Sequence, residues 1–338
     1  MVYLLGIDQG GSKTVAAIAD ARGNLLGVGM AAGGQHCTVG MREAMAYVAQ
    51  AVVRARASAG LGEITYRAVY AGLSGADFPE DYAALRQGLG EALGVAEPQV
   101  VNDCIIAMRT GLTRRAGAIL CAGSGLNCAV RDARGAEYIF GYAIHDRYQG
   151  GGALAERALW AVFDAQSCLG SPTLLTERLL AHFGAQDADA LLQRYTARAL
   201  PEAQCLALTR VLDACAIAGD AVSQDILRGF AQDCARIFAA GMRKVGMTDG
   251  ALELVVSGGV FKCRSPLLLD TLRGCVAADY PSVRLVEAAW EPVVGGVLLG
   301  LDEVYGQASL GADVLRAVQA SCARLGLLRR ADKEEDRA

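Results

Sequence analysis

Near its start the chain carries Leu4-Leu5-Gly6-Ile7-Asp8-Gln9-Gly10-Gly11-Ser12-Lys13-Thr14, and an altered copy, Ile119-Leu120-Cys121-Ala122-Gly123-Ser124-Gly125, follows 112 residues later. At that single offset Ile7 meets Ile119, Gly11 meets Gly123 and Ser12 meets Ser124. The tetrapeptides Asp20-Ala21-Arg22-Gly23 and Asp132-Ala133-Arg134-Gly135 coincide as well. Each copy is an apolar strand running into a loop of small residues. Gly10 and Gly11 let backbone N–H groups approach an anion closely, with Ser12 and Thr14 as hydroxyl donors. Lys13 is one of only four lysines in the chain, against 28 arginines. Asp8 stands at the strand end, where a carboxylate would repel a bare polyphosphate unless Mg²⁺ lay between them. That ion takes one or two carboxylates together with phosphate oxygens and waters. Asn102-Asp103 is the second group of interest. Asp103 can cap a helix, or it can accept the proton of an alcohol, a recurrent part of phosphoryl transfer.

The spacing of Gly6, Gly11, Ser12, Lys13 and Thr14 comes close to a P-loop but does not fit one. A P-loop has Gly directly before Lys and opens a long helix. Here the turn at Asp20–Gly23 arrives six residues after Thr14, which leaves room for a strand only. The pattern predicts strands over 2–7, 15–20 and 25–30, a helix over 41–59, a strand over 67–71, a helix over 81–93 and a strand over 99–101. Residues 111–117 read as the crossing into a second lobe. That lobe begins with a strand over 118–122 and a hairpin ending in a strand over 139–142. A polar, glycine-rich loop covers 145–152. A helical stretch over 153–245 follows, broken at 170–172 and 200–201. A strand over 252–256 then leads into Ser257-Gly258-Gly259, and a strand over 283–286 and the run 292–301 close the lobe. Three antiparallel strands followed by alternating helices and strands make a mixed α/β domain. The expected division is 1–115, 116–328 and a charged tail, 329–338.

These elements must be held by a core, and the composition supplies one. Apolar residues make up 53% of the 338 and charged residues 20%, which excludes a disordered chain. A net charge of −4 without a basic stripe argues against nucleic acid as a partner. The longest apolar runs fall far short of the ~20 residues of a membrane span, and the chain enters a strand directly, so a cytoplasmic protein is expected. The eleven cysteines are scattered with no C-x-x-C pair, and the three histidines (His36, His145, His182) show no ligand spacing. They read as core and surface residues, not as a metal site.

With these motifs in order, the chain resembles the BadF/BadG/BcrA/BcrD ATPase family of the actin/hexokinase-like superfamily, in particular its N-acetylglucosamine kinase branch. Gly6-Ile7-Asp8-x-Gly10-Gly11-x-Lys13-Thr14 is similar to the family's first phosphate motif, and Gly123-Ser124-Gly125-Leu126-Asn127 to the second. Ser257-Gly258-Gly259-Val260-Phe261 is similar to the adenosine motif, and Pro292-Val293-Val294-Gly295-Gly296 to the segment that closes it. The resemblance implies two ribonuclease-H-like lobes around a central nucleotide cleft. ATP–Mg²⁺ would be bound by Gly10, Gly11, Ser12, Lys13, Thr14, Gly123, Ser124, Gly258 and Gly259, with Asp8 at the metal. Asp103 would be the base, and Gln35, Asn102, Asn127, Gly141 and Asp146 would hold a sugar. A homodimer is implied too.

The departures fall on the sugar side. Amino-sugar kinases of this family carry Gly-Trp-Gly leading to Gly-Asp-Glu-Gly-Ser-Gly. This chain has Phe140-Gly141-Tyr142 leading through His145-Asp146-Arg147 to Gly150-Gly151-Gly152. Asp146 keeps the carboxylate, Arg147 stands for the Glu, and Gln35 stands where an Asn often contacts the sugar. The expected activity is phosphorylation of a hydroxyl of N-acetylglucosamine or a related amino sugar. The alternatives are an ATPase that activates a radical dehydratase or reductase, and a non-catalytic sugar or nucleotide sensor.

Overall fold

A computed structural model describes residues 2–113, 116–247, 252–306 and 310–328. Contacts divide the chain into two compact units, Met1–Ile119 with Arg131–Ala136 and Val286–Ala338, and Leu120–Val130 with Glu137–Leu285. The tail expected over 329–338 lies outside the described residues, as do two residues of the expected crossing over 111–117.

The first unit opens with β1 (Tyr3–Gln9), β2 (Lys13–Asp20) and β3 (Leu25–Ala32), followed by the short α1 (His36–Val39) and by α2 (Met41–Ser58). Then come β4 (Tyr66–Leu73), α3 (Pro79–Leu93), β5 (Gln99–Asn102) and α4 (Asp103–Arg109). The strands form one sheet in the order β3-β2-β1-β4-β5. β1 pairs antiparallel with β2 and parallel with β4, and β4 pairs parallel with β5. β1 and β2 are apolar on both faces because both faces are covered, as a central strand requires. On one face Leu5, Ile7, Ile18 and Val69 pack with Val48 and Val52 of α2 and Leu85 and Leu89 of α3. α3 starts at a proline, and Asp81 accepts the Phe78 N–H at 2.9 Å to cap it.

The second unit, entered within β6 (Gly117–Ala122), carries most of β7 (Leu126–Arg131) and then β8 (Glu137–Ile139), followed by α5 (Gly150–Gln166), α6 (Leu175–Phe183), α7 (Ala188–Thr196), α8 (Glu202–Ile217) and α9 (Ala221–Lys244). β9 (Glu253–Ser257), α10 (Leu267–Asp279) and β10 (Arg284–Glu287) follow. This sheet runs β10-β9-β6-β7-β8, which is the first sheet's order read from its other edge. The duplication seen in two loops and two turns thus extends to whole sheets. The turns match bond for bond. Asp20 N–H donates to Asn24 O at 3.0 Å and Gly23 N–H to Asp20 O at 3.1 Å, while Asp132 N–H donates to Ala136 O at 2.9 Å and Gly135 N–H to Asp132 O at 3.1 Å. In each, the aspartate carboxylate also accepts the N–H two residues on, at 2.8 Å.

Three details differ from the sequence reading. The expected strand over 139–142 is only Glu137–Ile139, and Gly141 sits in a 3-10 turn over Gly141–Ala143. The long helical stretch breaks at two further places, at the left-handed Gly184 after α6 and at Asp220, which caps α9 by accepting from Ser223 N–H. The largest difference is at the C-terminal end. The run 292–301 is α11 (Pro292–Tyr305), and with α12 (Ala312–Leu325) it belongs to the first unit, not to a second lobe ending at 328. Val293, Val294, Val297, Leu298 and Leu301 of α11, with Val318 and Cys322 of α12, pack on Leu4, Val15, Ala17 and Ala19 of the first sheet. α11 can sit that close because it is glycine-rich: a Cβ at Gly295 would collide with the Ile106 carbonyl of α4. Arg109 of α4 clamps the arrangement with two bonds to the Asp302 carboxylate, at 2.7 and 3.0 Å.

Candidate active site

The parallel register sets Gln9 of β1 opposite Leu73 of β4, and Leu73 opposite Asn102 of β5. The residues that leave these three strand ends are the Gly10 loop, Ser74 and Asp103. They therefore share one edge of one sheet, the carboxyl edge at which open α/β sheets bind ligands. Neighbouring strands lie about 4.8 Å apart, so loop and acid stand roughly 10 Å from each other across β4.

β2 follows the loop directly, so Gly10-Gly11-Ser12 joins two antiparallel strands and opens no helix. Gly10 N–H donates to Lys13 O at 3.0 Å to close the loop, and Gly11, Ser12 and Lys13 are exposed. Gln9, fully buried, donates to Ala44 O of α2 at 2.8 Å and anchors the base of the loop from below. Lys13 Nζ lies 3.5 Å from Glu291 Oε2 at the start of α11. Asp8 is half-buried on β1, paired with Val15 and Gly72.

Two expected site residues turn out to be internal. Thr14 is buried and its hydroxyl donates to Ala32 O at 2.8 Å, so its one proton holds β2 to β3 and is not presented to an anion. Asn102 is likewise buried. Its amide donates to Ala76 O at 3.1 Å and Asp77 Oδ1 at 2.9 Å, and its oxygen accepts from Cys104 N–H at 3.0 Å. With both N–H groups so engaged, it is the N-cap of α4 and not a sugar contact.

Asp103 is therefore not the cap but the first residue of α4. Burial pushes its carboxyl up to about 6. The Cys104 N–H and the Ser74 hydroxyl pull it down, and Asp77 pushes it further up. Asp77 is itself raised, first by burial and then by Asp81. Gln35 donates from Nε2 to Ser74 Oγ at 2.6 Å. Neither Ser74 nor Asp77 stood out in the sequence. A serine and an aspartate in a loop carry no signal until the register of β4 and β5 places them beside Asp103.

In the second unit Gly123, Ser124 and Gly125 are exposed between β6 and β7. The start of α5 is laced to them, with Gly151 N–H donating to Gly123 O at 2.8 Å and Gly152 N–H to Ser124 O at 3.1 Å. Gln149, also unforeseen, accepts Leu126 N–H at 2.8 Å and donates to Ile144 O at 2.9 Å, which fixes the 144–149 segment on this loop. Gly258 follows β9 with φ +103°, a conformation open to glycine, and a Cβ there would strike Ala122 O. The Gly258-Gly259 turn thus lies against the end of β6. Asn127, on β7, accepts from Gly141 N–H at 3.1 Å, which brings those two expected residues together. Asp146 is exposed at the start of a 3-10 turn over Asp146–Tyr148, capped by His145. Arg147 stacks on Tyr148, 4.6 Å from the ring centre.

Two sheets of one topology, each opening a glycine loop at its first hairpin, define an actin/hexokinase-like α/β protein. The chain belongs to the BadF/BadG/BcrA/BcrD ATPase family, whose model matches residues 5–300. It is 26% identical over 313 residues to the N-acetylmuramic acid/N-acetylglucosamine kinase of Clostridium acetobutylicum, covering 90% of this chain and 99% of that one. A provisionally assigned N-acetylglucosamine kinase from Chromobacterium violaceum superposes with a TM-score of 0.66 at 21% identity, over 88% of this chain and 99% of that one. A ROK family glucokinase from Streptomyces griseus, solved with glucose and AMPPNP, superposes at 0.55 with 18% identity, over 88% of this chain and 98% of that one.

Proposed function

We propose that the protein is an ATP-dependent sugar kinase that phosphorylates a hydroxyl of N-acetylglucosamine or a related amino sugar. The observation that carries this reading is Asp103. It is a half-buried carboxylate at the carboxyl edge of the first sheet, two strands from a glycine loop whose Gly11, Ser12 and Lys13 are exposed. A base whose carboxyl titrates near 6 is ionised at neutral pH and still binds a proton firmly enough to take one from an alcohol. In the proposed reaction the Asp103 carboxylate accepts the hydroxyl proton as that oxygen attacks the γ-phosphorus. The N–H groups and Lys13 of the first loop hold phosphate oxygens; Gly123, Ser124, Gly258 and Gly259 are the second unit's candidate nucleotide residues, supported by the resemblance of their motifs. Asn127, Gly141 and Asp146 of the second unit orient the sugar.

The residues fit a magnesium ion delivered with the nucleotide. One half-buried carboxylate, Asp8, ends the strand that opens the loop, and such an ion needs only one or two. Bound there, the ion would neutralise charge on the phosphates. Family kinship and composition support a homodimer in the cytoplasm that takes small molecules and neither nucleic acid nor lipid. Among the described residues no helix is long and apolar enough to cross a membrane.

The test is ADP release from Mg²⁺-ATP with N-acetylglucosamine, N-acetylmuramic acid or glucose, in the wild type and in Asp103→Asn. Sugar-dependent release that the variant loses supports the reading. Release indifferent to sugar makes the protein an ATPase instead, and a brown colour after anaerobic purification would favour the activator alternative.

A further inference from the structure

The hydrogen bonds at Asp103 continue beyond the acid. Leu73 pairs with Asn102, so Ser74 leaves β4 level with Asp103; its hydroxyl pulls the Asp103 carboxyl down and accepts from Gln35 Nε2 at 2.6 Å. A serine hydroxyl has a single proton to give. With an amide N–H on its acceptor side, the hydroxyl keeps that proton free for the neighbouring carboxylate. Gln35 is held in turn by the Cys37 thiol, whose Sγ lies 3.4 Å from Oε1, and by its own carbonyl, which accepts from Thr38 and Val39 N–H at 2.9 and 3.0 Å. The two residues before it are clasped to the glycine loop. Gly34 N–H donates to Gly10 O at 3.1 Å, and a Cβ at Gly33 would collide with the backbone of Ser12 and Lys13.

We propose that Gln35 and Ser74 form a positioning relay that ties the aim of the Asp103 carboxylate to the glycine loop at Gly10–Lys13. The proposal rests on the kinase reading above and deepens it: the groups that hold phosphate and the group that takes the proton are one mechanical block. It gives Gln35 a task other than contacting sugar, since one of its amide N–H groups is directed at Ser74. It also accounts for a glutamine at this position. An asparagine amide would end one methylene, about 1.5 Å, short of the Ser74 oxygen.

The charged groups around the acid are Asp77 beside it and, beyond Asp77, His36 of α1 and Asp81 of α3, with His36 Nε2 3.4 Å from Asp81 Oδ1. These stay in place when the relay is cut. The Ser74 bond favours the ionised carboxylate, so cutting it moves the titration of Asp103 upward.

The experiment compares Gln35→Asn, Ser74→Ala, Ser74→Thr and the Gln35→Asn/Ser74→Ala double variant. In the alanine and asparagine variants kcat should fall about 10- to 100-fold, with the sugar KM within about twofold of wild type. The acid limb of kcat/KM should move to higher pH in both. Ser74→Thr, which keeps the hydroxyl, should restore the wild-type profile, and the double variant should be no slower than Ser74→Ala alone. A raised KM with unchanged kcat in Gln35→Asn, or additive losses in the double variant, would overturn the relay. If the wild type shows no sugar-dependent turnover, the kinase reading fails on its own. The relay is then decided by ¹³C NMR titration of the aspartate carboxyls, with the Asp103 signal assigned from Asp103→Asn. An upward midpoint in both Ser74→Ala and Gln35→Asn sustains it, and an unmoved one rejects it.

Discussion

A carboxylate partly shielded from water and set beside a second carboxylate keeps its proton to higher pH than a free one, and Asp103 is in that position. Two predictions belong at this scale. Asp103→Asn should lower kcat by about 10²–10⁴-fold while calorimetry finds nucleotide affinity little changed, and the wild-type profile should lose activity as pH falls through about 6. The second concerns stability. A carboxyl raised in the folded state binds its proton more tightly there than in the unfolded chain, so folding is favoured at low pH and the advantage is lost between about 4 and 6. Above that window the ionised group costs on the order of 3 kcal/mol. Asp103→Asn should therefore melt higher than wild type at neutral pH, with the gap closing near pH 4. A gap of equal size at both pH values would contradict the assignment.

At the scale of elements, glycines decide how near α11 can come to the first sheet and α4. Gly295→Ala places a methyl against the Ile106 carbonyl, a backbone atom that cannot turn aside. The cost should be about 1–3 kcal/mol in urea unfolding. Gly274, inside α10 with open space around it, is the internal control. There alanine relieves the entropy of a helical glycine and should stabilise by about 0.5–1 kcal/mol. The same packing explains why 292–301 was legible as an apolar run but not as a partner of β1. Its valines and leucines fit a buried helix anywhere, and the sequence does not say which sheet lacks a cover.

At the scale of the molecule, the chain leaves its first unit, builds the second, and comes back to finish the first. A chain ended after residue 285 would lose α11 and α12 and expose the sheet face formed by Leu4, Val15, Ala17 and Ala19. It should fail to protect the amides of β1 and β2 from hydrogen exchange, even though every strand of that sheet is present. Protection equal to that of the full chain would show that α11 and α12 are not needed to close the core. Ligand binding is the complementary check. ATP with an amino sugar at 100 times its dissociation constant should add about 2.7 kcal/mol to the stability of the folded form, read as a rise in melting temperature absent in Asp103→Asn only if that residue also holds the sugar.

By itself the sequence determined the local and the repeated: the two glycine loops, the matching Asp-Ala-Arg-Gly turns, the strand after Lys13 that excludes a P-loop, and the acid at the end of β5. These are set by residue types within a few positions of one another, which is the range over which turn chemistry and strand periodicity act. Tertiary structure alone decided which hydroxyls and amides are taken. Thr14 and Asn102 have the right types for binding, yet their hydrogen bonds go to Ala32, Ala76 and Asp77. Ser74 stands beside Asp103 only because parallel pairing brings the ends of β4 and β5 level, and Gln35, 39 residues away in sequence, bonds to Ser74 there. A polar side chain advertises what it can bond, and the fold around it determines what it does bond.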